Sequence, residues 1–428
     1  MIQPPAFLLQ QRVALKTARR MAVAGDASFA GSCTLPIRSE LRFARSHLHT
    51  QRFGKKIKKR KFLGRCALMA KSTRIRKGMP SVQLSKAEFT ERLRGRFYDP
   101  AFAEVSEEIE RIIEKAWEGY DKYRKNPRTQ SAGRGFADPD FKLPIEWLET
   151  RTAILSAERR QKNRKAPSRI LLINGSSRSD QSCPGEMSKT FRLVTMAKEV
   201  IAKARGFEVD LLDLSRLTSE YGRVIYPCKA CVSTAMPLCN WPCSCYPNHA
   251  MGQVGDWMAE IYPRWAAAHG VMIVCPVNWY QAPSSLKLMI DRLVCADGGN
   301  PDPSSTGGKN PQRAKELELK GWDYPKHLAG RVFSVVVHGD AAGVENLRRI
   351  LTDWLTDIGL IPAGQSALVG RYIGYYEPYA TSHDDLDQEK DFHEEVRNAA
   401  RSLVQAVRLL RRGDLKLPDA SLTDPRQK

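Results

Sequence analysis

From Ser168 to Val369 the chain repeats one pattern about five times: a short apolar run, then a stretch with helical spacing. The runs are Arg169–Asn174, Glu208–Leu214, Val271–Cys275, Arg331–Val337 and Gln365–Val369. The first and third are nearly unbroken Ile, Leu, Val and Met, the mark of strands buried on both faces. Helices are expected over 188–205, 250–268, 284–296 and 343–359, with a closing amphipathic helix over 388–411. Gly206 ends the first of these. Alternation of this kind predicts an α/β fold, a doubly wound five-stranded parallel sheet with helices on both faces. Such sheets bind ligands beyond the carboxyl ends of their strands, at the switch in strand order.

The rest of the chain is organised around this unit. Residues 101–126 place Phe102, Val105, Ile109, Ile112, Ile113 and Trp117 at helical spacing, between Asp99-Pro100 and Asn126-Pro127. A short helix is expected near 144–162, and residues 298–312, rich in Gly, Pro, Ser and Asn, as a long mobile loop. We divide the chain into a disordered basic extension (1–68), a helical appendage and linker without chemistry of its own (69–166), the sheet domain (167–412) and a tail (413–428).

Charge enters the argument through its location. The net charge of +21 would ordinarily suggest nucleic acid or an anionic surface. Residues 1–68, however, hold 15 Lys and Arg against Asp26 and Glu40 alone. Three readings of that segment compete: an upstream extension before a start at Met69, an Arg-bearing transit peptide, and a basic arm for phosphates. The sheet domain itself gives no reason to invoke nucleic acid. No run of ~18 apolar residues predicts a membrane span, and without a secretory signal a cytoplasmic setting is expected.

The loops that follow the strands carry the chemistry. After the first strand come Gly175-Ser176-Ser177-Arg178 and then Ser188-Lys189-Thr190 at a helix start. Hydroxyls and backbone N–H groups at a helix N-terminus attract anions, and Arg178 adds a charge-assisted donor. The alternative is an ordinary Ser-capped helix after a Gly turn. Neither the Walker A spacing nor G-x-G-x-x-G is present. After the third strand, Pro276-Val277-Asn278-Trp279-Tyr280-Gln281 sets two aromatics and two amides where a crevice opens, suited to a flat heteroaromatic ring. The alternative is a hydrophobic turn capped by Pro283. His338-Gly339-Asp340 follows the fourth strand, and His338 alone reads as a hydrogen-bonded structural residue.

Taken together, Gly175-Ser176-x-Arg178, Ser188-x-Thr190 and Pro276-x-x-x-Tyr280 followed by Pro283-Ser284-x-Leu286-Lys287-x-x-Ile290-Asp291-Arg292 resemble the NAD(P)H-dependent FMN reductases. The resemblance implies a flavodoxin-like sheet with FMN as cofactor and NADPH or NADH as co-substrate. It places the FMN phosphate on Ser176, Arg178, Ser188, Lys189 and Thr190, and the ring against Pro276, Val277, Asn278, Trp279, Tyr280 and Gln281. It further implies a small-molecule electron acceptor (a flavin or a quinone) and a homodimer or homotetramer. Asp291-Arg292 is a candidate contact between copies, or else a surface ion pair worth under ~1 kcal/mol. Residues 179–187 are an insertion relative to that family.

Of the ten cysteines, five fall in one segment: Cys228, Cys231, Cys239, Cys243 and Cys245. An iron–sulfur cluster or zinc needs about four thiolates, and a C-x2-C start is compatible. Iron–sulfur flavoproteins, relatives of the reductases, carry a tighter motif in this region. Reduced, partly buried thiols are the other reading. A non-catalytic electron carrier is accordingly the alternative to a reductase. His393-Glu394-Glu395 and Gly364-Gln365-Ser366 match no metalloprotease or nucleophile-elbow pattern.

Overall fold

The computed structural model describes residue 75, residues 78–230 and residues 236–417. The basic extension, Met69, Cys33, Cys66 and Cys231 lie outside the described residues, as does the tail beyond residue 417.

Before the sheet come α1 (Lys86–Arg94), α2 (Ser106–Asp121), a ribbon of β1 (Thr129–Ser131) and β2 (Lys142–Pro144), and α3 (Ile145–Lys162). Helix α1, unforeseen from the periodicity, starts at a capping box: Ser85 Oγ accepts from Glu88 N, and the Glu88 carboxylate accepts from Ser85 N. The expected 101–126 helix divides. Asp99 caps a 3-10 turn over Pro100–Val105, and α2 follows it. Helix α3 is eighteen residues long rather than short, and its Ile154 and Ala157 join the core beneath the sheet.

The sheet consists of β3 (Ser168–Asn174), β4 (Phe207–Asp213), β5 (Gly270–Pro276), β6 (Val332–Gly339), β7 (Ile361–Pro362) and β8 (Leu368–Tyr372). All of its pairings are parallel, in the order β4-β3-β5-β6-β7, with β8 also on β6. The fifth position is therefore shared. β7 pairs with the start of β6 and β8 with its end, while Gln365–Ala367 between them is a 3-10 turn. Successive strand side chains face opposite ways, so Ile170 and Leu172 enter one core and Leu171 and Ile173 the other. The first core is closed by α4 (Lys189–Ala202) and the last helix; the second lies on the α3 side.

The remaining helices are α5 (Arg216–Ser219), α6 (Met258–Ala267), α7 (Ser284–Arg292), α8 (Pro311–Gly321), α9 (Val344–Asp357), α10 (Ser382–Gln388) and α11 (Lys390–Arg412). The 298–312 stretch is not a mobile loop. Asn300, Ser304 and Thr306 are buried, and Asn300 Nδ2 donates to Pro237 O at 2.9 Å. Asn310 then caps α8, with Pro311 at its first position.

His269, just before β5, ties these layers together. Its Nδ1 accepts from Arg169 N at 3.0 Å, so Nε2 carries the proton and donates to Gln161 O at 2.9 Å. Burial, then the nearby Arg411, pushes its pKa down to about 4; burial and Lys189 push His338 to about 3. Unfolded histidines titrate near ~6.5, so below that pH the unfolded chain binds more protons. Stability is therefore expected to fall as pH drops from about 6.5 to about 4, by ~1.4 kcal/mol per pH unit per histidine. Urea unfolding across that range checks this, and His269→Gln should flatten the slope.

Candidate functional site

β3 and β5 are adjacent, and their following connections lead to opposite faces, so the switch in strand order opens at their carboxyl ends. Gly175 leaves β3 at that point. A Cβ there would stand 2.7 Å from Cys275 Cβ and 3.0 Å from Leu286 Cδ2. The loop it starts is held from below. Asn174 Nδ2 donates to Asp213 Oδ1 at 2.8 Å, Asn174 Oδ1 accepts from Ser176 N, and Ser177 Oγ lies 2.8 Å from Ser285 Oγ.

The structure separates the residues expected at the phosphate end. Ser176 Oγ accepts from Arg178 N, and Ser188 Oγ caps α4 by accepting from Phe191 N; both residues are buried. These hydroxyl oxygens shape the loop. Thr190 is also buried, its Oγ1 at 2.8 Å from His338 Nε2. Arg178 and Lys189 remain as the cations. Arg178 donates through Nη2 to Pro184 O, while its Nε is buried without a partner. Lys189 Nζ reaches Ile373 O at 3.3 Å, and desolvation lowers its pKa against the pull of Asp340 and Asp385. A cradle of helix-start N–H groups with an unpaired guanidinium nitrogen suits a phosphate.

The loop after β5 is a tight turn. Asn278 N donates to Gln281 O and Gln281 N to Asn278 O, both at 2.9 Å. Its central residues, Trp279 and Tyr280, have φ of 46° and 66°. Bulky side chains rarely occupy the left-handed region, at a cost of ~1–3 kcal/mol each. Both rings nevertheless face solvent, Trp279 at 94% exposure. A Cβ on Gly343 would meet Tyr280 Cα at 3.1 Å, so the start of α9 closes against the turn. Tyr375 and Tyr376 are exposed after β8, their rings 4.4 Å apart. Pro276 and Val277 are half-buried beneath the turn, and Val277 N donates to His338 O at 2.8 Å. The strands thus end in an open aromatic edge, which suits a planar ring.

The cysteine segment lies on the α3 face. Trp147 Nε1 donates to Pro242 O, Lys125 Nζ to Ser244 O and His249 N to Lys125 O, so the appendage holds this segment directly. Cys243 and Cys245 are reduced thiols; a hydrogen bond between them raises the Cys243 pKa, and burial raises it further. A cavity of about 520 Å³ opens here beside Glu146, Trp147, Cys243, His249 and Arg292. Among the described residues, no three His, Cys, Asp or Glu are arranged to hold a metal.

Arg292 is not on the surface. It is 1% exposed, bonded through Nη2 to Asp256 Oδ2 at 2.6 Å and through Nη1 to Tyr226 O, with its guanidinium 4.4 Å above the Tyr246 ring. It therefore serves neither as a surface ion pair nor as a contact between copies. Its role is to fix the flanks of the cysteine segment.

A parallel sheet ordered in this way, with an anion cradle and an aromatic turn at its switch point, defines a flavodoxin-like α/β protein. Residues 168–372 match the NADPH-dependent FMN reductase family. The iron–sulfur flavoprotein of Methanosarcina thermophila is 32% identical over 202 residues, covering 47% of this chain and 80% of that protein. The chain belongs to the NADPH-dependent FMN reductase family and is an FMN- and NAD(P)H-dependent oxidoreductase. Among solved structures, RosB with a bound 8-demethyl-8-formylriboflavin-5'-phosphate intermediate aligns at TM-score 0.41 and 13% identity, over 58% of this chain and 82% of RosB. The apo NADH:FMN oxidoreductase EMOB aligns at TM-score 0.31 and 13% identity, over 59% and 92%. Among the described residues no helix is long and apolar enough to cross a membrane.

Removing Arg292 leaves the largely covered Asp256 carboxylate, 10% exposed, without its partner. Arg292→Met is expected to cost about 3–5 kcal/mol in urea unfolding, and adding Asp256→Leu should recover part of it. An Arg292→Met midpoint equal to wild type would contradict the buried pairing.

Proposed function

We propose that electrons pass from NAD(P)H through FMN at the carboxyl edge of β3, β5 and β6 to a small planar acceptor, a free flavin or a quinone. The observation that carries this reading is the Asn278–Gln281 turn, which holds two aromatic rings out of the core in strained backbone beside an anion cradle. Bound FMN supplies the hydride chemistry, so no protein acid or base is required.

The chain's residues then bind and orient. The first-turn N–H groups of α4, Arg178 and Lys189 hold the phosphate. Ser176 and Ser188 keep the loop in shape through the backbone bonds they accept. Trp279 and Tyr280 set the ring plane, Asn278 and Gln281 offer amide edges, and Pro276 and Val277 form the floor.

An iron–sulfur electron carrier is the second reading. It is favoured by two cations, half-buried Lys125 and buried Arg292, beside Cys243 and Cys245, since cations stabilise thiolate ligands. Steady-state assays separate the two. A reductase consumes NAD(P)H continuously with added FMN or quinone, whereas a carrier does not.

Two variants test the site. Arg178→Ala should raise the FMN Kd at least about tenfold, since charge-assisted bonds contribute about 1.5–3 kcal/mol. Trp279→Gly removes left-handed strain, so its unfolding midpoint should be no lower than wild type while FMN binds more weakly. Fluorescence titration and urea unfolding check both; an unchanged Kd in both variants would place the flavin elsewhere.

A further inference from the structure

We propose that the His338 side chain is a positioning residue that holds the phosphate end of the flavin site in register with its ring end. This rests on the FMN reading above. His338 stands near the end of β6, where it is in register with Pro276 of β5. Its carbonyl accepts from Val277 N at 2.8 Å, which fixes the base of the aromatic turn. Its ring reaches the other way, with Nε2 at 2.8 Å from Thr190 Oγ1 in the first turn of α4. Both side chains are buried, His338 at 6% and Thr190 at 1% exposure, so water does not replace a lost bond cheaply. Thr190 lies directly after Lys189, and its hydroxyl, expected at the phosphate, is spent on the histidine. One residue therefore joins the two loops that hold opposite ends of the cofactor. The two links are chemically separable, because substitution removes the ring but leaves the carbonyl.

That separability defines the test. FMN and riboflavin share the ring and differ in the phosphate. Both are titrated against the full chain as wild type, His338→Phe, Thr190→Val, the double variant and His338→Gln. Wild type should prefer FMN. The ratio of riboflavin to FMN dissociation constants should fall about fivefold to tenfold in His338→Phe and in Thr190→Val, the scale of one buried hydrogen bond. Riboflavin affinity should hold within about twofold. The double variant should lose no more than either single one, and His338→Gln, whose amide can meet Thr190, should restore part of the preference. A ratio unchanged in folded variants, or equal weakening of both flavins, overturns the inference. Should His338→Phe fail to fold, Thr190→Val alone decides, being nearly isosteric. Wild type that binds neither flavin instead overturns the FMN site itself.

Discussion

The close passage of the chain at Gly175 sets the geometry on which the site depends. The backbone leaves β3 so near β5 and α7 that a Cβ would overlap Cys275 Cβ. The Gly175 N–H donates to Val274 O, so the turn begins as a continuation of the β3–β5 ladder. The loop after β3 therefore starts at a fixed height above the sheet, beside the Asn278–Gln281 turn that rises from β5. Asn174, Asp213 and Ser215 stiffen it from the β4 side, through Asp213 Oδ1, which accepts from Asn174 Nδ2 and Ser215 N. Binding on rigid strand ends spends little free energy on ordering loops.

Against that rigid frame the turn after β5 is locally costly. Two bulky residues with positive φ and exposed rings oppose both backbone preference and the tendency of aromatics to bury. Such strain persists only where neighbours impose it, here the paired bonds of Asn278 and Gln281 and the approach of Gly343. The opposite face is held by side-chain bonds to the backbone. Arg292, Trp147 and Lys125 donate to carbonyls around the cysteine segment, while Arg292 Nε and Trp241 Nε1 are buried without a partner. The helices before the sheet thus hold the cysteine segment of the sheet domain in place.

Much of this was legible in the sequence because strand-helix alternation is a strong periodic signal. The first four strands fall within two residues of their expected places. The fifth does not, since Gly364 and a 3-10 turn split the edge into β7 and β8, and short edge pieces carry little pattern. Helices α1 and α8 are too polar for periodicity, yet Ser85-x-x-Glu88 and Asn310-Pro311 are cap signals that could have found them. The loops of the proposed site stood out in composition. The roles inside them did not: whether a Thr faces a ligand or a buried histidine depends on what lies across the sheet, some 150 positions away in the chain. Asn174 and Asp213 were missed for the same reason, as polar ends of apolar strands. Arg292 read as a surface charge because its partner, Asp256, is distant in sequence.

The central claim is that the flavin lies across the β3–β5 switch point, with its phosphate at α4 and its ring at the turn after β5. Amide hydrogen exchange of the full chain with and without FMN tests this most directly. Added protection should concentrate in residues 175–191 and 276–281, with a weaker effect near 339–343. Protection confined to residues 239–260 beside the cysteines, or absent from both loops while FMN is bound, would contradict it.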